Sequence, residues 1–426
     1  MRKWYSIIDK IYNENNLKEA FRSVKRNHGA PGIDGETVEV FAMHLEENIE
    51  FLHQSLKTKS YLPSPVKRVE IEKPDGGIRL LGIPTVKDRV VQQAVVNIIE
   101  PLFDPQFHPS SYGYRPNKSQ HQAVAKADLF LKKGKLEHVV DMDLSKCFDT
   151  LDHDIMMQEV SQTISDGQVL SLIESFLKSG IMVDGAYESS EIGSPQGGVI
   201  SPLLSNIYLN IFDQRIKQNG NYRMVRYADD ILIFTKSKRD AHNAKAWATQ
   251  ILEEELKLTV NQEKTQITSL KEGVSFLGFT LLSYATVIDR KRIKRFKDNI
   301  RRLTKRNIGI PMSIVISRLN RFLRGWINYY RIANIKSFCI NNMKWIRRRL
   351  RMIRMKQWKT HKAMHKEMRR LVIHNDEKMN VTLWKNSKVK IIHQTIPNSW
   401  FDKMKLINLT HYEVGLLSNN KIKLDT

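Results

Sequence analysis

Two adjacent carboxylates, Asp229 and Asp230, stand in the sequence Tyr-Ala-Asp-Asp between two apolar segments. Met224 and Val225 precede this tetrapeptide and residues 231–234 follow it, a pattern that predicts two strands joined by a tight turn. Neighbouring carboxylates repel each other unless a cation neutralises them, and Mg²⁺ prefers oxygen ligands. Taken alone, however, the pair is more often a solvated turn, because Asp is a common turn residue.

A second acidic cluster, 86 residues before Asp229, favours a metal site over a solvated turn. Asp141 and Asp143 alternate at the end of a Val-rich segment that begins at residue 138. Because strand side chains repeat every second residue, both carboxylates can point to one side, with Asp143 nearest the strand end. Asp143 and Asp229 can then share two Mg²⁺ ions about 3.5–4 Å apart, which activate a 3′-hydroxyl and stabilise a pyrophosphate leaving group.

Seven sequence elements in a fixed order resemble a known family. Two are the Asp143 segment and the Tyr-Ala-Asp-Asp element. The others are residues 29–35, 73–85, 111–116, 194–198 and 276–279. In their order and spacing the chain resembles a group II intron reverse transcriptase with a maturase domain, most closely the compact group IIC type. The resemblance implies an RNA-directed DNA polymerase that copies intron RNA into cDNA and assists the splicing and mobility of the intron.

The resemblance also implies roles for individual residues. Asp143, Asp229 and Asp230 are implied as catalytic ligands of two Mg²⁺ ions, for which Mn²⁺ is a possible substitute. The residues implied at the incoming dNTP are Lys73, Arg79, Phe148, Gln196 and Lys264. Among these, Phe148 is implied as a wall against a ribose 2′-hydroxyl and Lys264 as a neighbour of the departing pyrophosphate.

The same residues have physical interpretations of their own. Lys73 and Arg79 flank Pro-Asp-Gly-Gly, which predicts a hairpin whose cations either bind a triphosphate or are simply solvated. Gln196 precedes two glycines, which permit close backbone approach or form a plain loop. Phe148 taken alone is more often a core residue. Residues 276–279 resemble the turn that grips the primer end, and an apolar hairpin in the core is equally compatible.

Charge is distributed unevenly along the 426 residues, of which 41% are hydrophobic. This length allows two or three domains with sizeable cores. Of the formal charge of +24, residues 1–280 carry −3 and residues 281–426 carry +27. Such asymmetry predicts a polyanionic partner for the C-terminal part, bound with release of counterions. A membrane surface and a histone-like tail are the alternatives, and regular apolar spacing disfavours a disordered tail.

Three apolar stripes at helical spacing follow residue 290. Basic residues occupy the other faces, so the pattern predicts a three-helix bundle that lays its arginines along a nucleic-acid duplex. In the family this segment is the thumb, or maturase domain. The stripes are Ile293, Phe296, Ile300 and Leu303; Leu319, Phe322, Leu323, Trp326 and Tyr330; and Met343, Ile346, Leu350 and Ile353, the last surrounded by Arg347, Arg348, Arg349, Arg351 and Arg354.

The expected fold is α+β, a right-hand polymerase with an antiparallel palm sheet, an α-helical thumb and a small C-terminal region. The N-terminal extension and fingers are predicted at residues 1–135 and the palm with the catalytic Asp residues at 136–285. The basic thumb follows at 286–370 and a DNA-binding region at 371–426.

The cysteines and the apolar segments of the sequence indicate the cellular compartment of the protein. Cys147 and Cys339 fall in separate predicted domains, which indicates a reducing compartment without disulfides. No signal peptide is evident at the N-terminus and no 18-residue apolar stretch occurs. We therefore expect a soluble, cytoplasmic protein without a membrane partner, which in a bacterium is associated with the nucleoid. The absence of cysteine after Cys339 predicts that the chain lacks a nuclease module and does not nick DNA.

The expected partners are group II intron RNA, an RNA template with a DNA or RNA primer, target DNA and dNTPs, and the sequence leaves the oligomeric state open. Diversity-generating, retron-like and defence-associated reverse transcriptases are alternatives of the same fold. A non-catalytic RNA-binding splicing factor is the alternative from another class, and intact Asp143, Asp229 and Asp230 argue against it.

Overall fold

The protein is represented by a computed structural model, which describes residues 3–72, 76–183, 186–188, 193, 197–358, 360, 362, 363, 366, 396–419, 421 and 422, with the backbone alone at 79, 183 and 186–188. Lys73 and Gln196 lie outside the described residues, as do residues 371–395 of the predicted C-terminal region. The chain divides into two compact units, called unit 1 (Met1–Ser269) and unit 2 (Leu270–Thr426) below.

The described helices of unit 1 begin at polar capping residues in most cases. The side chains of Asn13, Thr37, Thr85, Ser119, Asp152, Asp166 and Ser237 each accept a hydrogen bond from a backbone amide two or three positions along. The bounds are α1 Ile8–Ile11, α2 Glu14–Arg26, α3 Val38–Met43, α4 Leu45–Lys57, α5 Val86–Phe103, α6 Gln120–Lys132, α7 His153–Thr163, α8 Gly167–Leu177, α9 Ser201–Asn219 and α10 Lys238–Gln250.

Strands in unit 1 form three small sheets in the described part of the chain, with orders β2-β1-β5-β6, β10-β3-β8-β7 and β4-β9. Their bounds are β1 Val66–Glu72, β2 Ile78–Ile83, β3 His138–Met142, β4 Leu144–Ser145, β5 Ile181–Val183, β6 Ala186–Glu188, β7 Arg223–Tyr227, β8 Asp230–Thr235, β9 Thr259–Val260 and β10 Gln266–Ser269.

The sheet β10-β3-β8-β7 is antiparallel throughout. Helices α6, α9 and α10 pack against its strands. This burial explains why β8 is a continuous apolar run, Ile231 to Phe234, rather than an alternating one. The predicted strand-turn-strand at Tyr-Ala-Asp-Asp and the predicted antiparallel palm sheet are both confirmed.

Unit 2 contains the predicted bundle of basic helices: α11 Arg290–Leu303, α12 Met312–Tyr330 and α13 Lys336–Gln357. The three stripes form its core, because Ile300, Leu323 and Ile346 are fully buried. Phe296 on α11 connects the helices, with its ring centroid 4.5 Å from that of Trp326 on α12 and 5.3 Å from that of Phe338 on α13. Aromatic packing between the helices therefore holds the bundle together.

A small sheet precedes the bundle in unit 2, with strands β11 Val274–Phe276, β12 Phe279–Leu281 and β13 Thr286–Ile288. Leu277 and Gly278 close the first hairpin with positive φ at both positions, as in a type I′ turn. The hydroxyl of Tyr329 on α12 donates to the Leu277 carbonyl at 2.8 Å. Both interpretations of residues 276–279, primer grip and packed hairpin, remain predictions, although the turn is bound to α12 within this unit.

The C-terminal segment of unit 2 packs on the bundle through Arg351 of α13, which is 1% exposed. Its Nε donates to the Ile396 carbonyl at 2.7 Å and its guanidinium lies 5.0 Å from the ring centroid of Phe401. Trp400 and Phe401, in the short helix Asn398–Lys403, are buried. These two aromatic residues therefore serve as core residues.

The α+β class predicted from the sequence is confirmed, with a mixed helix and sheet unit followed by a mainly helical one. Among the described residues, none of the helices has the length and apolar content needed to cross a membrane.

Candidate active site

Asp143 and Asp229 lie at the same end of the central sheet. Strands β3 and β8 are antiparallel neighbours, and Met142, the last residue of β3, pairs with Ile231 near the start of β8. Asp143 follows β3 directly, and Asp229 lies in the turn just before β8. The chain therefore brings two carboxylates separated by 86 residues to adjacent strand ends.

The turn that carries Asp229 is a two-residue hairpin connection. Tyr227 and Asp230 form the closing pair between β7 and β8, which leaves Ala228 and Asp229 as the central residues. Ala228 has φ of 57°, as the first central residue of a type II′ turn requires. Glycine is usual at that position, so an alanine there needs support from its surroundings.

Asp143 is held through its backbone by the segment that precedes β10. Its amide donates to Thr265 Oγ1 at 3.2 Å, and its carbonyl accepts from the Asn261 amide at 2.8 Å. Lys264 belongs to the same segment, and its Nζ lies 3.5 Å from Asp143 Oδ2. The structure thus brings the predicted Lys264 to the predicted Asp143, with the lysine side chain 67% exposed.

Buried groups around these carboxylates have shifted pKa values. Burial raises the pKa of Asp141 to about 6, a hydrogen bond with Gln266 opposes the shift, and the charge of Asp143 adds to it. Burial also raises the pKa of the Cys147 thiol to about 12, and the charge of Asp229 contributes. Both shifts disfavour the charged forms of these buried groups.

The donor chemistry at this sheet end fits Mg²⁺, although the protein supplies few ligands. In the part of the chain that the structure describes, no three His, Cys, Asp or Glu side chains converge closely enough to hold a metal ion alone. Mg²⁺ commonly binds one or two carboxylates and completes its shell with water and substrate phosphates. Asp143 and Asp229 match that arrangement, and Asp230 is the exposed first residue of β8.

Two of the predicted nucleotide-binding elements meet at β2. Arg79 lies in β2 opposite Ile71 of β1, which confirms the predicted hairpin around Pro-Asp-Gly-Gly. Gly197 has φ of 120°, and a Cβ there would come within 2.3 Å of the Gly82 carbonyl oxygen. The chain that follows Gln196 therefore lies directly against the strand that carries Arg79.

Phe148 is 9% exposed and lies in a single helical turn, Cys147–Asp149. Its ring meets that of Tyr114 edge to face at 6.5 Å, and Tyr114 is 53% exposed. The main apolar core of unit 1 includes Cys147 and Leu151 on either side but not Phe148. The ring thus lies at the border between core and surface.

A buried ion pair beneath the turn was not foreseen from the sequence. Arg226 of β7 and Asp213 of α9 are both 0% exposed, and the guanidinium Nη2 lies 2.6 Å from Asp213 Oδ2. Removing one partner of such a pair typically costs about 3–5 kcal/mol. Two features of the sequence indicate such a pair. Arg226 is a charged residue within an apolar strand, and Asn206 and Asp213 lie seven residues apart on one helix face.

Comparison with protein families places two domains on the chain. A model of reverse transcriptases (RNA-dependent DNA polymerases) matches residues 71–281, and a model of the group II intron maturase-specific domain matches residues 293–372. The chain is 34% identical over 304 residues to Protein YkfC of Escherichia coli, covering 62% of this chain and 80% of that protein.

The group II intron-encoded protein LtrA of Lactococcus lactis is 30% identical over 328 residues, which cover 62% of this chain and 54% of LtrA. A putative COX1/OXI3 intron 1 protein of Saccharomyces cerevisiae is 28% identical over 380 residues, covering 74% of this chain and 44% of that protein. The chain thus spans about half the length of these two intron proteins. It belongs to the group II intron reverse transcriptase and maturase family. Its activity class is RNA-directed DNA polymerisation, and the family generally uses divalent metal ions.

The maturase domain of this group II intron reverse transcriptase has a polar groove along α12. The groove has a volume of about 580 Å³ and lies between α12 and the segment around Lys405. Asn320 fixes the segment, because its side chain donates to the Lys405 carbonyl at 2.7 Å and accepts from the Ile407 amide at 2.9 Å. The lining residues are Ser313, Ile316, Ser317, Asn320, Arg321, Arg324, Gly325, Asn328, Met404 and Lys405.

Some arginines of the maturase domain are structural. Nε of Arg349 donates to Thr304 Oγ1 at 2.6 Å and its Nη2 donates to the Thr304 carbonyl at 2.9 Å, so Arg349 caps the C-terminus of α11. Arg348 is exposed and Arg347 half-buried. The expectation that the bundle lays its arginines along a nucleic-acid duplex is therefore wrong for the buried Arg351. Part of the Arg349 side chain is used to cap α11.

Proposed function

We propose that the chain extends a DNA or RNA primer on an RNA template by two-metal nucleotidyl transfer, with Asp143, Asp229 and Asp230 as the metal ligands. The observation that carries the proposal is the position of Asp143 and Asp229 at adjacent ends of the paired strands β3 and β8. When bound, Mg²⁺ would supply activation of the primer 3′-hydroxyl and charge neutralisation at the leaving pyrophosphate, and Mn²⁺ can substitute.

Protein side chains then bind and orient the nucleotide. Lys73 and Arg79 at the β1–β2 hairpin are proposed to bind the triphosphate, since arginine contacts phosphate with two donors and lysine with a mobile charge. Gln196 is proposed to pack against the incoming nucleotide. Support comes from Gly197, which places the chain after Gln196 against β2.

Lys264 is proposed to serve the departing pyrophosphate. Its Nζ lies 3.5 Å from Asp143 Oδ2, and its exposed side chain has room to follow a phosphate. A cation beside the metal-binding carboxylates reduces their mutual repulsion and offers a second site for the phosphate charge as it leaves.

The polymerase proposal is tested by primer extension with the full chain. Purified protein, an RNA template, a DNA primer, dNTPs and Mg²⁺ should give full-length cDNA, and addition of EDTA should stop synthesis. A non-catalytic splicing factor would bind the same template and leave the primer unextended.

Phe148→Ala should admit ribonucleotides. If the ring blocks the sugar 2′ position, its removal opens space for the 2′-hydroxyl, and we expect the ratio of rNTP to dNTP kcat/KM to rise by about tenfold or more, which corresponds to at least about 1.4 kcal/mol of lost discrimination. Phe130→Ala is the control, because this half-buried ring packs on Phe234 of the sheet instead. An unchanged ratio in folded Phe148→Ala protein would make the ring a packing residue only.

We further propose that the maturase domain binds group II intron RNA and assists its splicing, in keeping with its similarity to the group II intron-encoded protein LtrA. The α12 groove supports this proposal because Arg321, Arg324 and Lys405 line it together with serine and asparagine side chains, which are donors to phosphate oxygens. Target DNA for intron mobility, and action in the bacterial cytoplasm at the nucleoid, belong to the same proposal.

RNA binding should depend steeply on salt. Each phosphate neutralised lowers the slope of log K against log salt by about 0.9 on a duplex and about 0.7 on a single strand. Arg321→Gln with Arg324→Gln should therefore make the slope shallower by roughly 1.4 to 1.8. Lys421→Gln is the control, since Lys421 is already paired with Glu413. A double variant with the wild-type slope would remove the α12 groove from the RNA-binding surface.

A further inference from the structure

Arg226 is a charged side chain directly beneath the Tyr-Ala-Asp-Asp turn, and it is fully enclosed. At 0% exposure it cannot contact RNA, DNA or a nucleotide, so its charge has no direct part in catalysis. A buried charge is expensive to desolvate, and a hydrophobic side chain often replaces it without loss of stability. The groups that it holds in place therefore indicate its role.

Asp213 fixes the guanidinium from one side. Nε of Arg226 donates to both Asp213 oxygens at 2.9 and 3.0 Å, and Nη2 donates to Oδ2 at 2.6 Å. Asp213 lies in the 19-residue helix α9, which packs on β7. The plane of the guanidinium is thereby set by a long helix rather than by the turn itself.

The remaining donor of Arg226 points at the turn. Nη1 donates to the Ala228 carbonyl at 3.0 Å and to Asn206 Oδ1 at 2.9 Å. Ala228 is the residue immediately before Asp229 and has the positive φ that a non-glycine residue adopts only where its surroundings enforce it. The bond therefore fixes the carbonyl of the peptide that leads into Asp229.

A second contact confines the turn from the edge of the sheet. Asn206 Nδ2 donates to the Gly113 carbonyl at 2.9 Å, and a Cβ at Gly113 would lie 2.2 Å from the Ala228 amide nitrogen. The backbone beside Gly113 is itself tied to β7, because the Tyr112 amide donates to the Arg226 carbonyl at 2.9 Å. Gly113 thus lies against the turn with no space for a side chain.

We propose that Arg226 is a positioning residue, anchored by Asp213 and Asn206 on α9, that holds Asp229 in the orientation needed to share a divalent metal ion with Asp143. The inference rests on the proposed polymerase function, since it concerns the geometry of the same metal ligands. An ammonium group has no planar fork, so a lysine can keep the pair with Asp213 but not the full set of bonds to Ala228 and Asn206.

Two variants of the full chain test the proposal. Arg226→Lys keeps the buried positive charge and removes the planar guanidinium with its several donors. Its control is Arg215→Lys, at an exposed arginine paired with Glu255. Gly113→Ala leaves the ion pair intact and pushes on Ala228, and Gly167→Ala, where an added Cβ meets nothing within 4 Å, is its control. Circular dichroism and melting temperature report whether each variant folds.

The first measurement is Mn²⁺ binding, followed by the electron paramagnetic resonance of free Mn²⁺. The second is primer extension over a range of Mg²⁺ concentrations. Residues that orient metal ligands typically change metal affinity by 10–100-fold. We therefore expect Arg226→Lys and Gly113→Ala to raise the Mn²⁺ Kd and the Mg²⁺ midpoint by at least about tenfold, with an unchanged KM for the template–primer and unchanged values in both controls.

Several outcomes would overturn the proposal. Folded variants with wild-type Mn²⁺ Kd and Mg²⁺ midpoint would make the network a purely structural one, and so would a loss of activity that is equal at every Mg²⁺ concentration. If Arg226→Lys does not fold, Gly113→Ala decides the question, because it does not disturb the buried pair. An inactive wild-type protein would refute the polymerase proposal instead, and Mn²⁺ binding by the same variants would still test the positioning role.

Discussion

Asp143→Asn and Asp229→Asn are each expected to reduce the rate of cDNA synthesis by at least about a thousandfold. A metal ion that stabilises developing charge contributes several kcal/mol to the transition state, and about 4 kcal/mol corresponds to a thousandfold in rate. Both changes keep the shape and most of the polarity of the side chain while weakening a ligand. The measurement is single-nucleotide incorporation on an RNA template under single-turnover conditions.

The control for this experiment is Asp154→Asn, which changes an exposed aspartate in the first turn of α7 that is not among the predicted metal ligands. It should incorporate nucleotides at the wild-type rate. Melting temperatures should stay close to wild type in all three variants, because neither predicted ligand is part of the buried ion pair. Near-normal incorporation by either folded ligand variant would remove that residue from the metal site.

The arrangement of the two carboxylates was predictable because its causes are local. A Val-rich strand ending in alternating Asp residues and an apolar run after Asp-Asp specify strand ends by composition alone. Antiparallel pairing of these strands then brings the carboxylates together. The resemblance implied only that Lys264 lies near the departing pyrophosphate. Its approach to Asp143 depends on the Asn261 amide and the Thr265 hydroxyl, which are both hydrogen-bonded to the Asp143 backbone.

The hydrogen-bond network of Arg226 beneath the Tyr-Ala-Asp-Asp turn was not predictable from local sequence patterns. Arg226 pairs with Asp213 and Asn206, which lie 13 and 20 residues earlier on a helix, and Gly113 comes from another segment again. Helical spacing relates Asn206 to Asp213, but no periodicity relates either of them to Arg226 or Gly113, since their meeting depends on how α9 packs on β7. A buried arginine in an apolar strand indicates that a partner exists but not where that partner lies in the sequence.

For the basic helices, the sequence predicted the helices themselves but not the role of each arginine. Helical spacing correctly predicted α11, α12 and α13 and their apolar cores. It did not distinguish arginines that bind the protein from arginines that face solvent, because the two kinds share the same faces and composition. Arg349 caps α11 and Arg351 holds the C-terminal segment, whereas Arg321 and Arg324 line the α12 groove.

This distinction determines which variants can separate the two proposed activities. Removing Arg347, Arg348 and Arg349 together would also remove the cap on α11, so lost RNA binding could reflect an unfolded bundle. Arg321→Gln with Arg324→Gln changes exposed side chains that are not needed for the core of α12. The double variant is therefore the sharper test of RNA recognition.

A change at the metal site should remove DNA synthesis but not splicing, and a change in the α12 groove should weaken intron binding and splicing. A protein that binds folded intron RNA better than unfolded RNA shifts the folding equilibrium by that difference, and it needs no metal of its own to do so. Asp229→Asn should therefore abolish cDNA synthesis. At low Mg²⁺ the same variant should still stimulate intron splicing, with a splicing rate within about twofold of that with the wild-type protein. Arg321→Gln with Arg324→Gln should weaken intron binding by roughly tenfold, because two lost charge contacts are worth about 1.4 kcal/mol together.

The assay is the rate of intron splicing against protein concentration, with Lys421→Gln as the charge control on the same unit. Loss of splicing in Asp229→Asn at normal RNA affinity would link the polymerase site to RNA folding and refute the separation. If the wild-type protein itself gives no stimulation while it still makes cDNA, the chain acts as a domesticated or defence-type reverse transcriptase. In that case the α12 groove would bind the template–primer rather than an intron, and the double variant would lower primer extension instead.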